Sequence, residues 1–249
     1  MSRPRGGPGS VGDRLDELDL AIFDKDGTLI DFDAMWSGWV VDLADRLESA
    51  VGGPVRDRLY AAIGFDPGSG RARPGGPLAA MPMTHLRGLA LDVVGGVTRS
   101  PADAERAVAQ AWKAPDPIAL AHPLADLPLL FGRLRARGLR VAVATSDDRG
   151  PTEATLAGLG VGSLIDAVVC ADDGLPVKPA PAMVLHLCRT LGVDPVRSAM
   201  IGDAEADLAM GRAAGVGLRI GVLSGVGTRQ DLEPLADAII PSIADLLDG

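Results

Sequence analysis

Four short apolar runs stand far apart along the chain, and each ends at a polar residue. Leu20-Ala21-Ile22-Phe23 runs into Asp24, Val141-Ala142-Val143-Ala144 into Thr145, Ala167-Val168-Val169-Cys170 into Ala171-Asp172, and Ala199-Met200-Ile201 into Gly202-Asp203. Apolar runs of this length without polar alternation fit strands covered on both faces, as in a parallel sheet. Between them lie segments with helical spacing, Leu127 to Arg137 and Met183 to Leu191, followed by Gly138 and Gly192 where a helix would stop. Runs at Leu218 to Val222 and Ala238 to Ile240 extend the sheet, and Ile243 to Leu247 reads as a short closing helix. Strand alternating with helix predicts an α/β class and a doubly wound parallel sheet.

One interval breaks the alternation. About 110 residues separate the first run from the second, where a crossover needs only about a dozen. Residues 35–50 and 102–112 have helical composition and spacing, whereas Gly64 to Pro77 is rich in Gly and Pro and reads as a loop. The expected organisation is a core domain over 16–31 and 124–249, with a mostly helical cap domain inserted over 32–123. Residues 1–15, rich in Gly, Pro and Arg, are expected to be a disordered tail.

Composition narrows the partners. Among 249 residues, 47% hydrophobic, Lys plus Arg number 24 and Asp plus Glu 33, a net charge of −9. That balance argues against nucleic acid held by phosphate neutralisation. Cys170 and Cys188, the only cysteines, lack the spacing of a zinc or redox site and read as small apolar residues in a reducing compartment. The N-terminus has no apolar core of the kind a signal peptide needs. No run reaches the roughly 18 apolar residues that span a bilayer, so no membrane partner and a cytoplasmic location are expected.

The candidate chemistry lies where the runs end, because ligands of open parallel sheets bind at the carboxyl ends of the strands. Asp24 and Asp26 leave the first run, with Gly27 and Thr28 turning the chain so that both carboxylates can reach one pocket. An isolated pair of this kind is ordinarily a strand end with solvated acids. Here it is accompanied, in order, by AVATSD, VKPAP and IGDAEAD at the later runs. With these four motifs the chain resembles the phosphatases of the haloacid dehalogenase-like superfamily, and within it the phosphoglycolate-phosphatase-like group with a helical cap. The resemblance extends from about residue 17 to the end.

What the resemblance implies can be stated residue by residue. Asp24 matches the nucleophile that forms an aspartyl-phosphate, and Asp26 the general acid and base that protonates the departing oxygen and then deprotonates the attacking water. An acid beside an ionised Asp can have its pKa raised, which suits a proton donor. Thr145, with the backbone N–H of Ser146, matches the group that binds the transferring phosphoryl, and Lys178 the lysine bridging nucleophile and phosphoryl oxygens. Asp203 matches a metal ligand that joins Asp24 and the backbone carbonyl of Asp26 in an all-oxygen site for Mg²⁺. Asp207 belongs to the same site, more often through water or Lys178. The implied substrate is a small phosphate ester, phosphoglycolate being the nearest named one, and the implied state a monomer or homodimer. An acid at Asp26 distinguishes the chain from dehalogenases.

Other residues read as structural. His85, His122 and His186 have no metal spacing, Arg133, Arg135, Arg137 and Arg140 spread around several faces, and Glu205 faces solvent. Thr145 could instead cap the following helix, while Asp147 and Asp148 could face away from the anion site or, for Asp147, serve as a cap. Trp36 and Trp39 could cover a substrate or pack in the core. Arg71, Arg73, His85 and Arg87 are cap residues among which spacing does not choose. Two rival functions share the motifs: a phosphomutase using the same aspartyl-phosphate, and a non-catalytic phosphometabolite-binding module.

Overall fold

The computed structural model describes residues 10–247. Its centre is a six-stranded sheet in which every neighbouring pair is parallel, formed by β1 (Leu20–Phe23), β4 (Arg140–Ala144), β5 (Ala167–Val169), β6 (Ser198–Gly202), β7 (Leu218–Val222) and β8 (Ala238–Ile240). The strand order is β5-β4-β1-β6-β7-β8, so β1 lies inside the sheet with a partner on each side. All six expected runs match their strands to within one residue at either end, the third strand stopping at Val169, one residue before Cys170.

Alternation along the central strands divides the core in two. Ala21, Phe23, Val141, Val143, Ala199 and Ile201 face one layer; Leu20, Ile22, Ala142, Ala144 and Met200 face the other. The second layer packs on α9 (Ala182–Leu191) and α10 (Glu205–Ala214) through Met183, Val184, Leu187 and Met210. The first packs on α7 (Leu127–Ala136), where Phe131 lies 5.4 Å, ring centre to ring centre, from Phe23. α8 (Arg149–Gly158) and the short α11 (Arg229–Leu232) complete the connections. With both faces covered, the strands need the uninterrupted apolar runs that the sequence carries.

The long interval between β1 and α7 holds five helices: α2 (Phe32–Val51), α3 (Arg56–Ile63), α4 (Pro77–Ala80), α5 (Met83–Gly95) and α6 (Pro101–Ala111). The two expected helices correspond to α2 and α6. The Gly- and Pro-rich stretch expected as a loop contains a two-residue antiparallel pair, β2 (Phe65–Asp66) with β3 (Arg71–Ala72), held in register by Phe65 opposite Ala72. Phe65 and Ala72 are buried in the same apolar cluster that runs from the sheet through α2, which is why the pair forms despite its composition.

The N-terminal expectation is corrected from Ser10 onward, residues 1–9 lying outside the described residues. Ser10 and Asp13 form a reciprocal cap for α1 (Val11–Leu15), and Leu15 is buried in the core, so local capping and one apolar anchor order this stretch. The closing helix over Ile243–Leu247 is 3-10 in geometry. Both cysteines are buried and unpaired. No helix among the described residues is long and apolar enough to cross a membrane.

Removing the Phe131 ring should destabilise the fold by about 3–5 kcal/mol, the usual cost of a large buried aromatic truncated to Ala. Urea unfolding of Phe131→Ala should show that loss, whereas Val196→Ala, at a side chain 57% exposed, should stay within about 0.5 kcal/mol of wild type.

Candidate active site

Register brings the candidate residues to one level. Phe23 lies opposite Val143 on one side and Ile201 on the other, so Asp24, Thr145 and Asp203 emerge together at the carboxyl edge of the sheet. The Asp24 amide still donates to the Ile201 carbonyl at 2.9 Å, which fixes its backbone to the ladder. Beyond it the chain doubles back: the Lys25 carbonyl accepts from the amides of Leu29 at 2.8 Å and Ile30 at 3.1 Å. Gly27 has φ +82°, and a Cβ there would lie 2.5 Å from a carboxylate oxygen of Asp203. Only a glycine serves at that turn.

Asp24, Asp26, Thr145, Ser146, Lys178, Asp203 and Asp207 all line one cavity of about 180 Å³. Lys178, in the loop before α9, pairs with Asp24 and, at 2.7 Å, with Asp207. Asp207, on the first turn of α10, accepts from the Ala204 amide at 3.1 Å through its other oxygen. Asp203 accepts from the Thr28 hydroxyl at 3.3 Å and the Val226 amide at 2.8 Å. The loop carrying Val226 approaches closely because residue 225 is glycine: a Cβ there would lie 2.0 Å from Asp203 Oδ2.

A second lysine, Lys25, organises the other half of the cavity. It is 2% exposed and pairs with Asp26 at 2.6 Å and Asp147 at 2.9 Å. Asp26 also accepts from the Trp36 indole N–H at 3.0 Å. Asp147 therefore neither faces away nor caps α8: its carboxylate belongs to the cavity, neutralised by Lys25. Thr145 does not cap α8 either. Its hydroxyl accepts the Asp147 amide at 3.1 Å, and the residue preceding the helix is Asp148.

Burial governs the electrostatics. It pushes the Asp24 carboxyl up to about 7, against the pull of Lys178 and with Asp207 adding to the rise. It lifts Asp147 to about 6 against the pull of Lys25. Asp203 is held well above the carboxylate range, by burial first and then by the charges of Asp24 and Asp207. For the two lysines burial works the other way, but their acidic partners outweigh it and keep both ammonium groups above the ordinary lysine range.

The buried carboxylates of Asp24, Asp203 and Asp207 offer oxygens that all lie within 4.8 Å of one another. Lys178 answers two of these acids, and the direct partners of Asp203 are a hydroxyl and an amide. An all-oxygen set with more negative charge than its lysine offsets fits a hard divalent cation. The Asp26 side chain is outside this set, directed to Lys25 and Trp36.

The remaining candidates disperse. His85, His122 and His186 are exposed. Arg133 and Arg140 reach the Leu247 and Leu191 carbonyls, Arg135 pairs with Asp166, and Arg137 with Asp16, so they form no shared patch. Arg87 pairs with Glu105. Glu205 is exposed, as expected, though on the cavity rim. Trp39 is a packing residue, its ring 5.7 Å from Trp36 and 5.3 Å from Trp112.

A family model described as haloacid dehalogenase-like hydrolase matches residues 18–215. The chain belongs to the haloacid dehalogenase-like hydrolase family. A probable phosphatase, IndB, of Dickeya dadantii is 32% identical over 226 residues, covering 89% of this chain and 88% of that protein. A phosphoglycolate phosphatase of Rhodospirillum rubrum is 42% identical over 103 residues, which span 41% of this chain and only 43% of the relative. A crystal structure described as a predicted phosphoglycolate phosphatase from Haemophilus somnus superposes with a TM-score of 0.66 at 21% identity, covering 93% of this chain and 97% of that one. At that identity the likeness establishes the haloacid dehalogenase-like fold.

Within this family frame, Val226, Gly227 and Asp231 line the cavity, and Lys25, Thr28 and Gly225 support its acids from behind; sequence reasoning gave none of them a role in the site. Lys25 had one visible signal, a lysine between two acids that share a pocket. Replacing it with Met leaves Asp26 and Asp147 without their shared cation and should cost on the order of 3–5 kcal/mol at neutral pH. Because Asp147 is raised in the folded state, its ionisation opposes folding, a penalty absent at low pH that grows as pH rises through the folded value. Urea unfolding should therefore show a smaller loss for Lys25→Met at about pH 4.5 than at about pH 7.5. Lys25→Met/Asp147→Asn should recover part of it.

Proposed function

We propose that this chain is a Mg²⁺-dependent phosphomonoesterase acting on a small phosphorylated metabolite. The observation that carries the reading is the convergence of Asp24, Asp26, Thr145, Lys178, Asp203 and Asp207 on one cavity at the carboxyl edge of the sheet. Residues 32–123 serve as a cap, and 16–31 with 124–249 as the core that performs the chemistry.

Phosphoryl transfer needs an in-line nucleophile, stabilisation of the charge on the transferring oxygens and a proton for the leaving group. Asp24 supplies the nucleophile: its carboxylate oxygen bonds to phosphorus as the ester oxygen leaves, giving an aspartyl-phosphate. Lys178 steadies the ionised form of that carboxylate against the burial that opposes it. Asp26 gives its proton to the departing oxygen and then takes one from the water that cleaves the aspartyl-phosphate. Lys25 and Trp36 hold its carboxyl group in place for both transfers. The Thr145 hydroxyl and the Ser146 amide donate to the phosphoryl oxygens. Asp24, Asp203, Asp207 and the Asp26 backbone carbonyl would hold Mg²⁺, which when bound supplies positive charge to the phosphoryl group.

Purified protein should release phosphate from an aryl phosphate with Mg²⁺ and lose that activity in excess chelator. Asp24→Asn should lower kcat by about three orders of magnitude or more. Asp26→Asn should accumulate phosphorylated protein, detectable as a mass increase, because the second step lacks its base. Activity indifferent to both Asp24→Asn and chelation would refute the reading, and transfer to a second hydroxyl of a hexose phosphate would redirect it to a mutase.

A further inference from the structure

We propose that the site selects phosphate monoesters whose leaving group carries no negative charge, and discriminates against esters of hydroxy acids; this rests on the phosphomonoesterase reading. The wall of the cavity opposite the sheet comes from the segment between β1 and β4. It presents Phe32, Trp36, Pro74, Leu78 and Met81, with small or backbone surface from Gly75 to Ala80 between them. No Lys, Arg or His of that segment lines it.

The polar groups nearby are already committed. The only N–H of the Trp36 ring is given to Asp26. Arg71, on β3, pairs with Asp33 at 2.9 Å and donates to the Gly225 carbonyl at 3.1 Å, and neither it nor Arg73 is part of the lining. Lys178, the one cation lining the cavity among the described residues, is shared between Asp24 and Asp207.

What charge remains at the rim is negative. Glu205 and Asp231 both border the cavity. Asp231 accepts from the Thr228 hydroxyl at 2.6 Å and the Thr228 amide at 2.9 Å, and these bonds hold its carboxyl below the ordinary range, so it is ionised. A carboxylate on the leaving group would thus meet an apolar wall, find no cation and face like charges at the opening. Each of these disfavours it, because a desolvated charge needs a partner and like charges repel. A neutral leaving group loses nothing there and gains contact with the aromatic and aliphatic side chains.

Two pairs of esters isolate the charge: p-carbamoylphenyl against p-carboxyphenyl phosphate, and 2-hydroxyethyl phosphate against phosphoglycolate. The neutral member of each pair should have the higher kcat/KM, by on the order of tenfold or more. Met81→Arg, which places a cation in the wall, should narrow both ratios. Calorimetric binding of the same esters to Asp24→Asn should follow the same order without turnover. Robust Mg²⁺-dependent release in which the carboxylate ester equals or exceeds its neutral partner would overturn this inference alone. Absence of both release and binding for all four esters would remove the phosphomonoesterase reading with it.

Discussion

Two buried ammonium groups make this cavity possible. Five of the acids that line it are largely shielded from water, Asp24, Asp26, Asp147, Asp203 and Asp207, and carboxylates at such density repel one another and resist desolvation. Lys178 answers Asp24 and Asp207; Lys25 answers Asp26 and Asp147. The acids thereby fall into two groups, each built around its own lysine, and the two carboxylates of the DKD segment belong to different groups. Asp203 alone is satisfied by neutral donors, and burial raises its pKa accordingly. The imbalance sits where a divalent cation would offset it.

That arrangement depends on strand register more than on any loop. Because β1 has β4 on one side and β6 on the other, three chain segments widely separated in sequence deliver Asp24, Thr145 and Asp203 to one edge. The closing approach is made by glycines. At Gly27 and Gly225 the backbone passes so near the Asp203 carboxylate that any side chain would collide with it. These glycines are part of the site although they bring no functional group.

The parallel sheet was legible because its strands are buried on both faces and so carry uninterrupted apolar runs, the simplest pattern a sequence can display. The strand ends marked Asp24, Thr145 and Asp203, the turn after the first strand added Asp26, and the resemblance of their motifs brought in Lys178 and Asp207; all six line one cavity. The role of Lys25 had only its place between two acids to signal it, because alternation along an extended segment turns it away from Asp24 and Asp26, and only the turn closed by the Lys25 carbonyl brings its ammonium beside Asp26. Asp147 was hidden for a different reason: its partner is a side chain more than a hundred residues away. The β2–β3 pair was hidden by its own glycines, since the apolar contacts that hold Phe65 and Ala72 come from distant helices.

The inserted helices are not an independent cover laid over finished chemistry. Trp36 lies on α2, packed edge-on against Trp39, which packs in the same way against Trp112 beyond α6. The same indole donates to Asp26 and forms part of the apolar wall. The orientation of the Asp26 carboxylate therefore depends on the packing of helices that also shape the cavity wall. Under the proposed chemistry, a change in that packing alters proton transfer and leaving-group fit together, so selectivity and rate cannot be tuned through this tryptophan separately.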